Sequence, residues 1–522
     1  MGDSLGKKIG VASLIMMASV FLSRVIGLFR EMAIAYIGGA TAAVDAYQVA
    51  FIIPEILNHV VASGFLSITF IPIFSRYLAK ADMDGGWGVF SDILVVFGGF
   101  LSVLTTAAWI AAPQLVAILA PGLKDPATRQ LAVEMTRIIL PAQVFFFAGG
   151  LLMAVQYASA AFVVPALAPL AYNAGIIAGG LLLGPWLGMQ GFAWGVLGGA
   201  FIGNFALQWV GARRLGMRFC PRFNLGHPDF RRYILVSLPL ILGLTMTFST
   251  EVFLKFFGSF LPAGSIAALN YGLRVVFMLV GIFGQAIGVA AFPFMSRLAA
   301  ENKVAEMNDL LNRSLRYLAL LIPFSILLMV LRREVVVILF QHGRFDAAAV
   351  QHTADTLLWL LMGAFAFAAQ TVVVRGYYAM QDTLFPSLYG SFAVVASLPL
   401  YIVGMRFYGL SGVAAAISLS AAFQVSLLFV LWNRRSGNSG AGGVFGACGR
   451  LAVVGGGIGA VVWAGKEALW TASAVQGKLH SMMVVGIVSL VYVLVLAAVG
   501  KLTGIAEISQ GLALIRTRLT RR

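Results

Sequence analysis

"FLSRVIGLFREMAIAYIGG" (residues 21–39) decides how this chain is read. It continues an apolar run that starts near residue 10. The whole run is long enough to cross a bilayer, which takes about 20 apolar residues as a helix. Yet it carries Arg24, Arg30 and Glu31. Each costs on the order of 2.5 kcal/mol or more in a hydrocarbon core. On a helix Arg24 and Glu31, seven residues apart, share a face, and Arg30 is offset from Glu31 by about 100°. Such a charged face turns toward a bundle interior or a water-filled cavity, not toward lipid.

Working outward, the chain has 522 residues, 60% hydrophobic and 11% charged, where a soluble domain carries about 25% charged residues. The composition is that of an all-α polytopic membrane protein. Apolar runs of sufficient length predict spans at 10–37, 45–75, 90–112, 131–158, 162–184, 188–212, 232–258, 265–296, 313–332, 352–379, 386–405, 409–432, 445–468 and 480–500, about 14 transmembrane helices. A net charge of +16 reads here as the positive-inside bias of a membrane protein, with no nucleic acid implied. With the N-terminus in the cytoplasm, about 22 Lys/Arg fall on cytoplasmic segments and about 8 outside. An even helix count then places both termini in the cytoplasm. Lys7 and Lys8 precede the first run, but no A-x-A site follows a short apolar core, so the run is expected to stay as a membrane helix. Cys220 and Cys448 lie far apart, with neither a disulfide framework nor metal-ligand spacing.

The chain also echoes itself. "FIPIFSRYLA" (70–79) and "AFPFMSRLAA" (291–300) both close a long apolar run with P-x-x-S-R, and an arginine-rich segment lies between them. This predicts two six-helix lobes around a central cavity, residues 1–215 and 216–435. Residues 436–522 add two further helices and a basic cytoplasmic tail. Internal repeats of this kind build secondary transporters, with the substrate site between them. "GGGIG" (455–459) follows no strand and reads as a close helix-packing site.

Arg24, Arg30, Lys255 and Arg274 fall in the first two spans of each predicted lobe and suggest a cationic cavity. A guanidinium fork suits phosphate because it donates two parallel hydrogen bonds, so an anionic head group is the expected occupant. The rival reading is structural: packing ion pairs, closest for Arg30 beside Glu31, or side chains snorkelling to an interface. Arg375, beside Tyr377 and Tyr378, reads equally as an interfacial anchor. Glu251 reads either as a coupling-cation ligand or as the i,i+4 partner of Lys255. Asp45 reads either as an acid favoured by its own helix dipole or as an outer gate. With Glu31, Asn58 and His59 these are the gating or coupling candidates. No catalytic spacing appears, and the outer loops near 113–130 and 333–351 are short, so no enzyme and no cofactor are expected. The drive is left to a coupling cation, H+ or Na+, or to the membrane potential.

"SRVIGLFRE" (23–31), "DAYQVAF" (45–51), "GFLSITFIPIFSRY" (64–77), "SFLPAGSIAALNYGLRV" (259–275), "LFQHGRFD" (339–346) and "RGYYAMQDTLFP" (375–386) together resemble the MurJ/MviN family of the multidrug/oligosaccharidyl-lipid/polysaccharide exporter superfamily. The resemblance covers about the first 12 spans. It implies 14 helices, with two lobes in a V around a cationic cavity and a lipid-tail groove at the last two. It also implies a flippase for lipid II in the bacterial inner membrane, working by alternating access among membrane lipids and the cell-wall synthesis machinery. The family's cavity arginines correspond to Arg24, Arg30 and Arg274, and its helix-2 aspartate to Asp45. The chain departs at Asn58 and His59, where the family carries arginine, at Glu31, usually aspartate, and at Gly272-Leu273-Arg274, usually an "ADR"-like triplet. A flippase for another polyprenyl-diphosphate-linked glycan, an O-antigen or exopolysaccharide unit, is the alternative. A cation-coupled drug exporter fits the cationic set less well.

Overall fold

The structure, a computed structural model, describes residues 2–61, 70–219, 228–231, 233, 245–470, 477–505 and 507–508, apart from the side chains of 2–9, 11–13, 59–61, 245–248 and 470. Among the described residues all regular structure is helical, and the protein is an all-α polytopic membrane protein. Among the described residues nine helices or joined runs are long and apolar enough to cross a membrane. The bent pair Ala347–Met362 and Ala364–Ala379, at 41°, makes a tenth. One of the nine, Leu384–Ser436, holds two of the expected spans, because Gly409 leaves helical geometry at φ 53° and ψ −127°. Gly2–Gly38 occupies the first expected span. Within the second, the described residues form Ala42–Ala50, Ile52–Val61 and Ile71–Ala79, with a break at Phe51. The seventh is described over Thr245–Gly258. Each expected span has a helix or a broken helix at its place. The connecting segments hold more than was expected of them: Ala112–Leu119, with a proline in its first turn, and Arg332–Phe340 are short helices.

The chain forms two compact units, residues 1–267 with 342–345, and residues 268–341 with 346–522. Thr245–Gly258, expected from the sequence to belong to the second lobe, lies with the first unit. The core of the first unit is aromatic: Phe70, Phe74, Trp87, Phe90, Phe147 and Tyr233 are all buried. Phe70 and Phe74 are one turn apart and meet at 5.7 Å, within the range where ring pairs attract. In the second unit, Val484, Val488, Tyr492 and Leu496 recur every four residues along Lys478–Leu502, a stripe that packs with Leu451 and Ile458 of Ala441–Trp470. Tyr492 donates its hydroxyl to the Gly455 carbonyl at 3.2 Å, so the polar tip of a buried ring is satisfied. A side chain at Gly455 or Gly459 would press on Pro323 or Ile326, in keeping with the close packing read from "GGGIG".

Candidate functional site

Arg24 is exposed on Gly2–Gly38, with no hydrogen-bond or ion-pair partner among the described residues. Arg30 is gripped from two sides. Its Nη2 donates to Glu31 Oε1 at 2.6 Å and its Nη1 to Asn173 Oδ1 at 3.0 Å. Asn173, on Val163–Leu187, gives its Nδ2 to the Pro169 carbonyl at 2.9 Å, which turns its oxygen toward the arginine. Glu31 is 4% exposed. The face shared by Arg24 and Glu31 is thus joined to Arg30 through Glu31.

Asp45 lies in the first turn of Ala42–Ala50 and is buried. Its carboxylate accepts the Gly264 N–H at 2.6 Å and the Ala267 N–H at 2.7 Å. These amides open the 36-residue helix Ser265–Ala300 and have no partner within it. Asp45 therefore caps a helix other than its own. A main-chain clasp surrounds this contact. Arg344 N–H donates to the Tyr36 carbonyl at 2.9 Å. Gly39, Gly264 and Gly343 all sit at positive φ, 67°, 88° and 56°. A Cβ on Gly39 would stand 2.6 Å from the Arg344 carbonyl oxygen, and one on Gly264 or Gly343 would strike the carbonyls of Ala40 or Tyr36. Only glycine fits both the backbone angle and the gap.

Lys255 is 1% exposed and lies among carboxylates. Its Nζ is 3.0 Å from Glu55 on Ile52–Val61 and 3.6 Å from Glu251 one turn back on its own helix. Two acids face one base, so this cluster carries no net positive charge, unlike the free cation expected from sequence. Asn58, half-buried, lies one turn beyond Glu55. The His59 side chain, residues 62–69 of the "GFLSITFIPIFSRY" stretch, Cys220 and the basic tail lie outside the described residues. In the second unit Arg274 is half-buried on Ser265–Ala300.

The sequence reading did not single out Asn173, whose only local signal is one amide in an apolar span, "PLAYNAGII". Glu55 is a charge in an apolar span with nothing local to announce its partner 200 residues away. Between Ala441–Trp470 and Lys478–Leu502 runs an apolar groove of about 400 Å³, lined by Ile458, Val461, Val488, Val491 and Val495. At its edge Lys466 donates to Glu334 Oε1 at 2.8 Å and to the Val330 carbonyl at 3.0 Å.

Arginines set in apolar helices, and an apolar groove within the second unit, are features that suit an amphiphile with an anionic head. Comparison with known proteins leads to the same place. The family model "Lipid II flippase MurJ" matches residues 34–487. A probable lipid II flippase MurJ of Vibrio cholerae is 27% identical over 437 residues, covering 82% of this chain and 83% of the relative. The lipid II flippase MurJ of Burkholderia cenocepacia is 28% identical over 423 residues, 79% of this chain and 82% of the relative. A probable one of Synechocystis is 26% identical, covering 96% of both chains. Among solved structures, a lipid II flippase MurJ in an inward closed conformation superposes with a TM-score of 0.72 at 19% identity, covering 92% of this chain and 98% of that one. An inward-facing multidrug resistance MATE family transporter of the MOP superfamily reaches 0.59 at 14% identity, covering 81% and 98%. The fold is common to both groups, and the extent of the family match assigns the branch: the chain belongs to the lipid II flippase MurJ family.

Proposed function

We propose that this protein flips lipid II, the undecaprenyl-diphosphate-linked disaccharide-pentapeptide, from the cytoplasmic to the periplasmic leaflet of the bacterial inner membrane. Both termini are cytoplasmic in this reading. The observation that carries it is Arg24, Arg30 and Arg274 set in apolar helices of a chain from this family. Arg24 is exposed for first contact, and Arg30, steadied by Asn173, binds once Glu31 yields it. A diphosphate can accept both parallel donors of each guanidinium. Lys255 takes part only after yielding Glu55. The prenyl tail lies in the groove between Ala441–Trp470 and Lys478–Leu502. Alternating access then requires Asp45 to release the Gly264 and Ala267 amides at the periplasmic side. Glu31 and Glu251, in ion-pair reach of Arg30 and Lys255, are the candidates to couple that release to H+, Na+ or the membrane potential, with Asn58 and His59 as further candidates. No covalent step is involved.

Complementation tests this. The chain is expressed in a bacterium depleted of its own lipid II flippase, and lipid II exposed on the outer leaflet is measured. Wild type is expected to restore exposure, and Arg24→Ala and Arg274→Ala, at matched expression, to lose it. Failure of a correctly inserted wild type would remove lipid II as the cargo in that host.

A further inference from the structure

Membrane-embedded cations of this chain differ in what holds them. Lys255 meets Glu55, and Lys466 meets Glu334, so in each pair the positive charge is cancelled. Arg375, on Ala364–Ala379, is held by an amide: its Nη2 donates to Gln285 Oε1 at 2.9 Å, on Ser265–Ala300. Among the described residues no carboxylate pairs with it, and its Nη1 is buried without a hydrogen-bond partner. Glycine makes room for that nitrogen, because a Cβ on Gly288 would stand 2.0 Å from Nη1. One turn earlier, Thr371 Oγ1 donates to the Gly284 carbonyl at 3.1 Å, and a Cβ on Gly284 would stand 3.0 Å from Ala368 Cα. The two helices are thus pressed together through Gly284 and Gly288, and the guanidinium lies over the second glycine.

Leaving a guanidinium uncancelled inside a membrane protein costs several kcal/mol, and one amide acceptor offsets little of it. A merely structural clamp is better served by glutamate at 285. An amide instead fixes the fork's orientation and leaves the full charge and the spare donors for a ligand. Gln285 is eleven residues past Arg274, three turns and about 20° further, so both lie on one face of Ser265–Ala300, about 16 Å apart along its axis.

We propose that Arg375, oriented by Gln285 over Gly288, is a second contact for the anionic head group, on the face that also carries Arg274. The ligand class is a phosphate or diphosphate monoester, and the proposal rests on the flippase reading above. Purified full-length protein in nanodiscs of zwitterionic lipid is titrated with undecaprenyl diphosphate and with undecaprenyl monophosphate, and thermal unfolding is followed in parallel. Arg375→Gln is expected to weaken diphosphate binding about tenfold, the worth of one good charge-assisted bond. Gln285→Glu is expected to match that loss with no fall in melting temperature, since it strengthens a clamp while cancelling the charge. Folded Arg375→Gln or Gln285→Glu that binds as wild type does overturns the proposal. So does loss of the Arg375-dependent difference in phosphatidylglycerol discs, which would assign the site to bulk lipid. Wild type that binds neither probe takes down the flippase reading itself, a distinguishable result.

Discussion

Residues 42–61 and 265–300 fall in the second span of each lobe expected from the sequence, yet the first is two short helices, Ala42–Ala50 and Ile52–Val61, and the second is one. Proline position explains part of the contrast. Pro54 lacks an N–H for the carbonyl four residues back and crowds it. That residue is Ala50, where the first piece ends. Pro72 falls in the first turn of Ile71–Ala79, directly after the π-helical Phe70. Pro293 has the same spacing to its Ser-Arg pair but lies inside Ser265–Ala300, which runs through it. The broken helix carries Asp45 and Glu55 on separate pieces, each fastened to a distant segment. The continuous one carries Arg274 and Gln285 on a single rod.

Asp45→Ala strikes this contrast hardest. It leaves two buried amides at the head of the rod without an acceptor, about 1–3 kcal/mol each. Loss of complementation and a clearly lowered melting temperature are expected, with Asp45→Asn in between. An unchanged melting temperature would mean that the broken helix does not fasten the rod. Next comes Lys255→Met, which leaves the half-buried Glu55 and Glu251 without their cation, at about 1–3 kcal/mol. Adding Glu55→Gln should recover part of the loss, and a double-mutant cycle in chemical denaturation measures how much. A third pair sharpens the comparison itself. Pro54→Ala lets Ala42–Ala50 and Ile52–Val61 fuse, with stability gaining up to about 3 kcal/mol, while lipid II exposure falls. Pro293→Ala should leave exposure near wild type. If both behave alike, the break has no role in transport.

The smallest effect is at the end of the rod. Glu301 lies in the turn after Ser265–Ala300, bonded to Lys303 at 2.8 Å and Arg297 at 2.9 Å. These hydrogen bonds, Lys303 first, hold its carboxyl down at about 2, against an ordinary 4.5. A depressed acid stabilises the fold fully above its unfolded value and loses that contribution as pH falls toward the folded one. Glu301→Gln should therefore lower the melting temperature slightly at pH 7 and by clearly less at pH 2, in scans at both values.

Much of this was legible in the sequence, for an identifiable reason. Spans follow from apolar length, a local property, and Arg24, Arg30 and Arg274 stand out because a charge in an apolar run is costly wherever the chain then goes. The partners were not legible. Glu251 is one turn from Lys255 and could be guessed, whereas Glu55 is 200 residues away and displaces Lys255 from the set of free cations. Asp45 could be read as favouring its own helix, but its acceptors turn to amides 219 and 222 residues on. Asn173 and Gln285 are neutral, so no charge marks them, and their roles exist only once another helix delivers an arginine.

The main-chain clasp around Asp45 also makes its own gauge. The amide hydrogens of Gly264, Ala267 and Arg344 are each committed to an acceptor distant in sequence. While the clasp holds, they are shielded from solvent deuterium, and each opening exposes all three together. Their shared uptake rate therefore counts the fraction of time the clasp is undone, without a dye, a spin label or any change to the sequence.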